Sequence, residues 1–148
     1  SAQLSDHTLG REYEAVVHGG FRDDAGTVDA PIGRHPVDRK RMAVTPKNSK
    51  PAVTHYEVIA RYRGYTRILC RLETGRTHQI RVHMASIGHP LLGDGVYGAP
   101  CPEKGLEGQC LHARRLKFIH PRTGQLVRLE APLPEYFTQV ISRLGNEI

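Results

Sequence analysis

The chain has 148 residues, with 21 Lys and Arg against 15 Asp and Glu, nine His and a formal net charge of +6. This length suits one domain with a real core, and 39% hydrophobic with 24% charged residues excludes disordered, collagen-like and coiled-coil chains. No apolar run is long enough to cross a membrane, and three cysteines do not make a disulfide framework. The composition therefore predicts a cytoplasmic protein with no membrane partner.

The first predicted elements are strands. Residues 11–18 are predicted to form one strand. Residues 52–62 alternate between two faces, and a second alternating run, 66–73, follows the dipeptide Arg63-Gly64. So short a link predicts that the two runs form an antiparallel hairpin.

The period then changes to that of a helix, with Ile80, His83, Met84 and Ile87 at i, i+3, i+4 and i+7. Thr77 is the predicted N-cap of this helix and Gly88 its stop signal.

The last third of the chain begins with a Gly- and Pro-rich loop, 90–109, and two further strands, 110–119 and 125–131. A final helix is predicted to have Pro134 as its first residue and to end at Gly145. Strands outnumber helices and the hairpins are local. The predicted class is α+β with a mixed, mainly antiparallel sheet and flanking helices, in one domain over residues 1–148.

The positive charge is concentrated in residues 34–50. That segment holds one acid, Asp38, and six basic residues, so it carries +5 and the remainder +1: Arg34, Arg39, Lys40, Arg41, Lys47 and Lys50. A compact basic patch on a nearly neutral body is typical of a polyanion site. A solvated loop is the alternative that composition leaves open.

The densest polar segment, residues 73–83, joins a strand end to the start of the predicted helix. Gly75 permits a tight turn, and Arg76 follows it beside the free N–H groups of the helix N-terminus, which favour anions. His78 and Gln79 fall in the first turn, and Arg81 projects from another side. A polar helix face exposed to solvent, with His83 in the core, is the competing interpretation.

Residues 71–98, R-L-E-T-G-R-T-H-Q-I-R-V-H-M-A-S-I-G-H-P-L-L-G-D-G-V-Y-G, resemble the C-terminal signature of the RluA/RluD-type pseudouridine synthases. Four further stretches fit in order and spacing: R-E-Y-E-A (11–15), R-H-P (34–36), K-P-A-V-T-H-Y-E-V (50–58) and L-H-A-R-R-L-K-F-I-H-P-R-T-G (111–124). The resemblance covers nearly the whole chain. It implies a mixed sheet packed around a cleft, and conversion of uridine to pseudouridine in large-subunit ribosomal RNA without cofactor or metal.

The resemblance also implies roles for individual residues. Tyr13 matches the family's catalytic tyrosine, Arg76 matches the arginine that pairs with the catalytic aspartate, and Leu111 matches an apolar residue near the target base. RNA binding is expected at the basic segment and the helix start: Arg34, His35, Arg39, Lys40, Arg41, Lys47, His78, Gln79 and Arg81. For His35, capping a turn is the alternative to binding phosphate.

The family's nucleophilic aspartate lies in an H-R-L-D motif well upstream of the tyrosine, whereas 12 residues precede Tyr13 here and the motif is absent. Asp6 is too near, and Asp94 matches a different family position. We interpret the chain as the C-terminal part of a synthase catalytic domain, expected to be inactive alone and to leave an unpaired sheet edge. Its expected partners are ribosomal RNA and the missing N-terminal part.

Two other classes of function remain open. One is an RNA-binding module without catalysis. The other is a zinc module built from Cys101, Cys110 and His112, with His120 as the only obvious fourth ligand. These spacings match no common zinc pattern, so no metal site is predicted.

Overall fold

The computed structural model describes residues 10–98 and 108–148. Within those residues it contains nine strands and two helices: β1 (Gly10–His18), β2 (Ala25–Asp29), β3 (Ile32–Arg34), β4 (Met42–Val44), β5 (Ser49–Lys50), β6 (Val53–Tyr62), β7 (Tyr65–Leu72), α1 (Gln79–Ser86), β8 (Leu111–Ile119), β9 (Leu126–Glu130) and α2 (Glu135–Arg143).

A six-stranded sheet, in the order β2-β6-β7-β1-β8-β9, forms the body of the protein. Every pairing within it is antiparallel, so the α+β class is confirmed and the mixed character expected of the sheet is not seen in the described residues. The predicted hairpin is β6–β7, which turns at Arg63-Gly64. Gly64 has φ 82°, a conformation that glycine adopts without a steric penalty.

The two helices pack on opposite faces of this sheet. On one face, Ile80 and Met84 of α1 join Ala15 and Ile68 in a buried cluster. On the other, Phe137 and Val140 of α2 pack around Val16, Leu92 and Cys110. The alternation of β1 explains this, since neighbouring residues of a strand point to opposite faces.

Among the described strands, β2 and β9 form the two edges of the sheet, and β9 exposes Leu126 and Leu129, which are 46% and 54% accessible. The unpaired edge expected for a missing N-terminal part stays a prediction. An exposed edge does not identify a missing partner, because every open sheet has two edges.

A second, three-stranded sheet in the order β4-β3-β5 holds the basic segment. The sequence did not indicate these strands, nor β2, because strands of two to five residues are too short to show a clear alternation. Ile32 packs with Ala52 and with Val82 of α1, which fixes the small sheet against the helix that follows Arg76.

Both predicted helix starts need correction. The residue before α1 is His78, not Thr77; it lies at φ 55° and makes no side-chain capping bond. Pro134 precedes α2 as its N-cap and is not its first helical residue. Gly88, at φ 86°, confirms the predicted stop of α1. Of the predicted loop 90–109, residues 99–107 lie outside the described part of the chain.

Candidate active site and nucleic-acid interface

The structure brings six of the predicted site residues around one cavity of about 320 Å³, at the junction of β1, β8 and the turn before α1. The six are Tyr13, Arg76, His78, Gln79, Arg81 and Leu111, and Arg11, Leu72, Gly75, Ile80 and Gln109 complete the lining. This volume falls within the range of small-ligand pockets, about 300–1,000 Å³.

Tyr13 and Leu111 reach the cavity from neighbouring strands. Tyr13 of β1 lies opposite Ala113 of β8, and Ala15 lies opposite Leu111. Tyr13 and Leu111 therefore share a face of the sheet, and both pack against the core cluster of α1. A β-bulge between Glu12 and Tyr13 shifts the register at this point. The result is an aromatic ring and an aliphatic side chain on one cavity wall.

Arg76 lies in the turn between β7 and α1 and is half-buried. Its Nε donates a hydrogen bond to the carbonyl oxygen of Pro51 at 2.8 Å. That bond orients the guanidinium but leaves its terminal nitrogens available. Over residues 10–98 and 108–148, no carboxylate forms an ion pair with Arg76. A guanidinium at a cavity wall with no carboxylate partner is suited to bind an incoming carboxylate or phosphate.

Gln79 is buried, and its amide is fully occupied within the fold. Its Oε1 accepts from the backbone N–H of Arg76 at 3.0 Å and from the hydroxyl of Thr74 at 2.7 Å. Its Nε2 donates to the carbonyl of Val53 and to the hydroxyl of Thr54. An amide with four partners has no capacity left for RNA. Gln79 therefore positions Arg76, and the RNA contact expected of it does not fit this geometry.

The hydrogen-bond chain continues from Thr54 to His83, whose ring is buried. The carbonyl of Ala30 can only accept, so Nε2 of His83 donates to it. In the neutral ring Nδ1 is then the acceptor, and the Thr54 hydroxyl, which accepts from Gln79, donates to it. Burial lowers the pKa of His83, against a smaller raising effect of the Ala30 carbonyl. The competing interpretation of the sequence placed His83 in the core, and the structure shows it buried there.

Arg81 forms a two-point ion pair with Asp94, at 2.8 Å from Nε and 3.1 Å from Nη2. The Asp94 side chain is fully buried and that of Arg81 is 12% exposed. Burial alone would raise the pKa of Asp94, but hydrogen bonds from Arg81 and from the N–H groups of Tyr97 and Val96 outweigh it, and the pKa is lowered. Arg81 is thus committed to Asp94, and the grip on RNA backbone expected of it does not fit this pairing.

Tyr97 is a site residue that the sequence analysis missed. Its hydroxyl meets Nδ1 of His78 at 2.8 Å and the backbone N–H of Met42 at 3.0 Å. The guanidinium carbons of Arg81 and Arg41 lie 5.0 and 5.4 Å from the centre of its ring. The sequence did offer one signal for it. Asp94 is an acidic residue in an otherwise apolar and Gly-rich run, and it lies three residues before the aromatic Tyr97.

The basic segment lies outside the cavity, in and beside the small sheet. Its side chains at Arg34, Arg39, Lys40 and Lys47 are exposed, as an RNA interface requires. Arg41 differs, because it packs on Tyr97. Nδ1 of His35 accepts from the N–H groups of Val37 and Asp38, so the turn-capping alternative describes His35 better than a phosphate contact.

A larger groove of about 780 Å³ lies across the strands β1, β7, β8 and β9. Four of its charged residues, Glu12, Arg71, Arg115 and Glu130, belong to an alternating chain of ion pairs. That chain continues beyond the groove to Glu57, Arg114, Glu14 and Arg67. Because Arg71 and Arg115 already have carboxylate partners, they are weaker candidates for RNA phosphates than the exposed residues of the basic segment.

The zinc alternative gains no support from the residues that can be described. Cys110 is buried among apolar side chains, and burial raises its pKa to about 12, which disfavours the thiolate that zinc requires. Cys101 lies outside the described residues. No cluster of three His, Cys, Asp or Glu residues is present in 10–98 or 108–148.

Comparison with known proteins places this fold and cavity in a family. Residues 1–86 match the family model described as RNA pseudouridylate synthase. The chain therefore belongs to the RNA pseudouridylate synthase family, an enzyme family of isomerases that modify RNA, and the predicted resemblance is confirmed.

Curated relatives share about half of their residues with this chain. It is 54% identical over 144 residues to an uncharacterized RNA pseudouridine synthase, YlyB, of Bacillus subtilis, and covers 46% of that protein. It is 48% identical over 151 residues to ribosomal large subunit pseudouridine synthase D of Nitrosomonas europaea, and covers 43% of it. The alignments include 96% and 97% of this chain. The chain thus spans a little under half of the length of these relatives.

Solved structures agree. The human RNA pseudouridylate synthase domain containing 1 superposes with a TM-score of 0.74 at 26% identity, over 97% of this chain and 68% of the human chain. The human domain containing 4 gives the same TM-score and identity, over 65% of its chain. Among the described residues, no helix is long and apolar enough to cross a membrane.

Proposed function

We propose that this chain is the C-terminal part of a pseudouridine synthase catalytic domain, and that its parent protein isomerises uridines of large-subunit ribosomal RNA in the bacterial cytoplasm. Membership of the RNA pseudouridylate synthase family supports the reaction class. The name of the Nitrosomonas europaea relative supports the choice of RNA. The observation that carries the proposal is the cavity itself. It is lined by Tyr13, by Leu111 and by Arg76, which has no carboxylate partner among the described residues.

The chemistry assigns a task to each wall of the cavity. Isomerisation breaks the bond between N1 of uracil and the ribose C1′ and forms one from C5 to C1′, while the C5 hydrogen leaves to solvent and N1 gains a proton. The base must leave the RNA stack first, at a cost of about a few kcal/mol. Tyr13 stacks on the flipped base and brings its hydroxyl near the ring carbon. Leu111 supplies an apolar wall near the target base.

Arg76 would hold the nucleophilic carboxylate, which the parent protein supplies from outside this chain. A guanidinium within hydrogen-bond reach stabilises the ionised form of a carboxylate and so keeps the nucleophile active. The bond from Arg76 to Pro51 and the bond from its N–H to Gln79 place the guanidinium before the carboxylate arrives. In the chain alone this site lacks its nucleophile, and we expect no turnover.

The exposed residues Arg34, Arg39, Lys40 and Lys47 would bind the RNA backbone beside the cavity. No cofactor or metal takes part in this scheme, because the carboxylate, the phenol and the guanidinium account for every bond that changes.

The test is tritium release from uridine labelled at C5 in a ribosomal RNA fragment, using the parent polypeptide that includes the upstream residues. Arg76→Ala is expected to abolish release while RNA affinity changes by less than about threefold, because phosphate contacts provide most of the affinity. Arg63→Ala, in the exposed β6–β7 turn, is the matched control and should release tritium normally. Equal loss of affinity and turnover in Arg76→Ala would contradict the role of Arg76.

An RNA-binding module without catalysis is the second candidate, favoured by the exposed basic segment and by the absence of a carboxylate at Arg76 in the described residues. The two differ in one outcome. If the parent polypeptide binds the RNA fragment but releases no tritium, the synthase proposal is rejected and the RNA-binding module is the better account.

A further inference from the structure

The Tyr97 hydroxyl has two partners, and the chemistry of one of them fixes the direction of its hydrogen bond. The backbone N–H of Met42 can only donate, so the Tyr97 oxygen accepts that bond at 3.0 Å. The single phenolic hydrogen is then free to be donated to Nδ1 of His78 at 2.8 Å. In a bond of that direction Nδ1 of His78 accepts and carries no proton, which corresponds to a neutral ring with its hydrogen on Nε2.

Tyr97 is itself held from several sides. Oδ1 of Asp94 accepts the backbone N–H of Tyr97 at 3.1 Å, and the same carboxylate is clamped by Arg81. The guanidinium groups of Arg81 and Arg41 lie against the ring, at distances where cation–π attraction is effective. The ring therefore bridges α1 and β4, which means that it joins the cavity to the basic segment.

The surroundings of His78 also favour a neutral ring. Desolvation and the positive charge of Arg81 lower the pKa of His78, and the negative charge of Asp94 partly offsets them. Arg76 and Arg11 line the same cavity, and the Arg41 guanidinium lies over the Tyr97 ring. Nε2 of His78 has no partner among the described residues, although the residue lines the cavity.

We propose that Tyr97 is a positioning residue, which holds His78 at the cavity rim as a neutral Nε2–H donor to an RNA acceptor atom. This inference rests on the proposed function for the identity of the ligand, but the state of the His78 ring does not depend on it. The αL backbone of His78, at φ 55°, is consistent with a side chain that the surrounding structure holds in place.

The first test is the imidazole nitrogen spectrum of His78 in this chain without RNA. The unaltered chain should show the Nε2–H tautomer and a pKa below 6.5. Tyr97→Phe removes only the hydroxyl; it should mix the tautomers and move the His78 pKa towards 6.5. Tyr65→Phe is the matched control, because the Tyr65 ring packs on His18 without a hydrogen bond from its hydroxyl to a described residue. An Nδ1–H tautomer in the unaltered chain, or no change in Tyr97→Phe, would overturn the inference.

The second test is a double-mutant cycle on affinity for a ribosomal RNA fragment. His78→Ala should weaken binding about 3- to 10-fold, which is the scale of one hydrogen bond. Tyr97→Phe should weaken it by a similar or smaller factor, and the double variant should lose no more than His78→Ala alone. Additive losses would contradict the positioning role. If Tyr97→Phe does not fold, the tautomer of the unaltered chain decides alone.

The outcomes separate this inference from the proposed function. A chain with the Nε2–H tautomer that binds no ribosomal RNA fragment would overturn the proposed ligand and leave the Tyr97–His78 arrangement intact. A chain that binds the fragment but carries Nδ1–H on His78 would overturn the inference and leave the proposed function in place.

Discussion

The side-chain oxygen of Gln79 accepts a hydrogen bond from the backbone N–H of Arg76, three residues earlier, at 3.0 Å. This one bond ties the guanidinium-bearing turn to the first residue of α1. The rest of the Gln79 amide bonds Thr74, Thr54 and Val53, so the turn, the helix and β6 are fixed together. The geometry of Arg76 is thus set by a buried polar network, which has a stability cost if it is broken.

Gln79→Leu should lower the free energy of unfolding by about 1–3 kcal/mol, because it leaves buried donors and acceptors without partners. Urea unfolding of this chain measures the change. Gln139→Leu, on the exposed face of α2, is the control and should change it by less than about 0.5 kcal/mol. Equal effects of the two substitutions would show that the amide network does not stabilise the turn.

His83 should make the chain less stable as the pH falls below 6.5. Burial lowers the folded-state pKa of His83, so the unfolded chain takes up a proton near 6.5 while the folded chain does not. The stabilising contribution is complete above pH 6.5 and is lost as the pH falls towards the folded pKa. Between pH 7.5 and pH 5.5, the urea midpoint of His83→Gln should fall by less than the midpoint of the unaltered chain. The same fall in both would assign the pH dependence to other groups.

Asp94→Asn should destabilise the chain by about 3–5 kcal/mol, because it leaves the Arg81 guanidinium nearly buried without a counter-charge. Asp24→Asn provides the comparison, since Asp24 pairs with Arg61 while it is 90% exposed, and a loss below about 1 kcal/mol is expected there. Thermal or urea unfolding distinguishes the two. A small loss in Asp94→Asn would mean that the pair does not hold Tyr97 in place.

Neutralising Arg39 and Lys40 together should weaken RNA binding and flatten its dependence on salt. Removing one cation that binds a phosphate reduces the slope of log affinity against log salt concentration by about 0.7–0.9. Arg22 and Arg63 are exposed basic residues outside the basic segment, and their double alanine variant is the control. Affinities between 50 and 200 mM salt, concentrations at which such effects are large, give both slopes. An unchanged slope would exclude this patch as the RNA interface.

Long alternating segments made β1, β6, β7, β8 and β9 predictable, and the helical period predicted α1. The short strands of the small sheet were not, because their pairing depends on contacts between residues distant in sequence. The Thr77 cap was wrong because the helix begins one residue later, after His78, and the Gln79 N–H is bonded by the carbonyl of Arg76 in the preceding turn.

The sequence predicted which residues line the site better than it predicted what each of them contacts. Resemblance placed Tyr13, Arg76 and Leu111 around what proved to be one cavity. Sequence could not show that Arg81 is committed to Asp94, since the pair spans 13 positions and forms only when the loop after α1 folds back. For the same reason it could not show that Tyr97 contacts both His78 and β4.

The most direct measurement is tritium release from a ribosomal RNA fragment labelled at C5 of uridine, with this chain alone and with the parent polypeptide that carries the upstream residues. We predict release by the parent only, because Arg76 and Tyr13 need a carboxylate from outside the chain. Release by the chain alone would contradict this account. It would mean that a carboxylate within these 148 residues acts as the nucleophile.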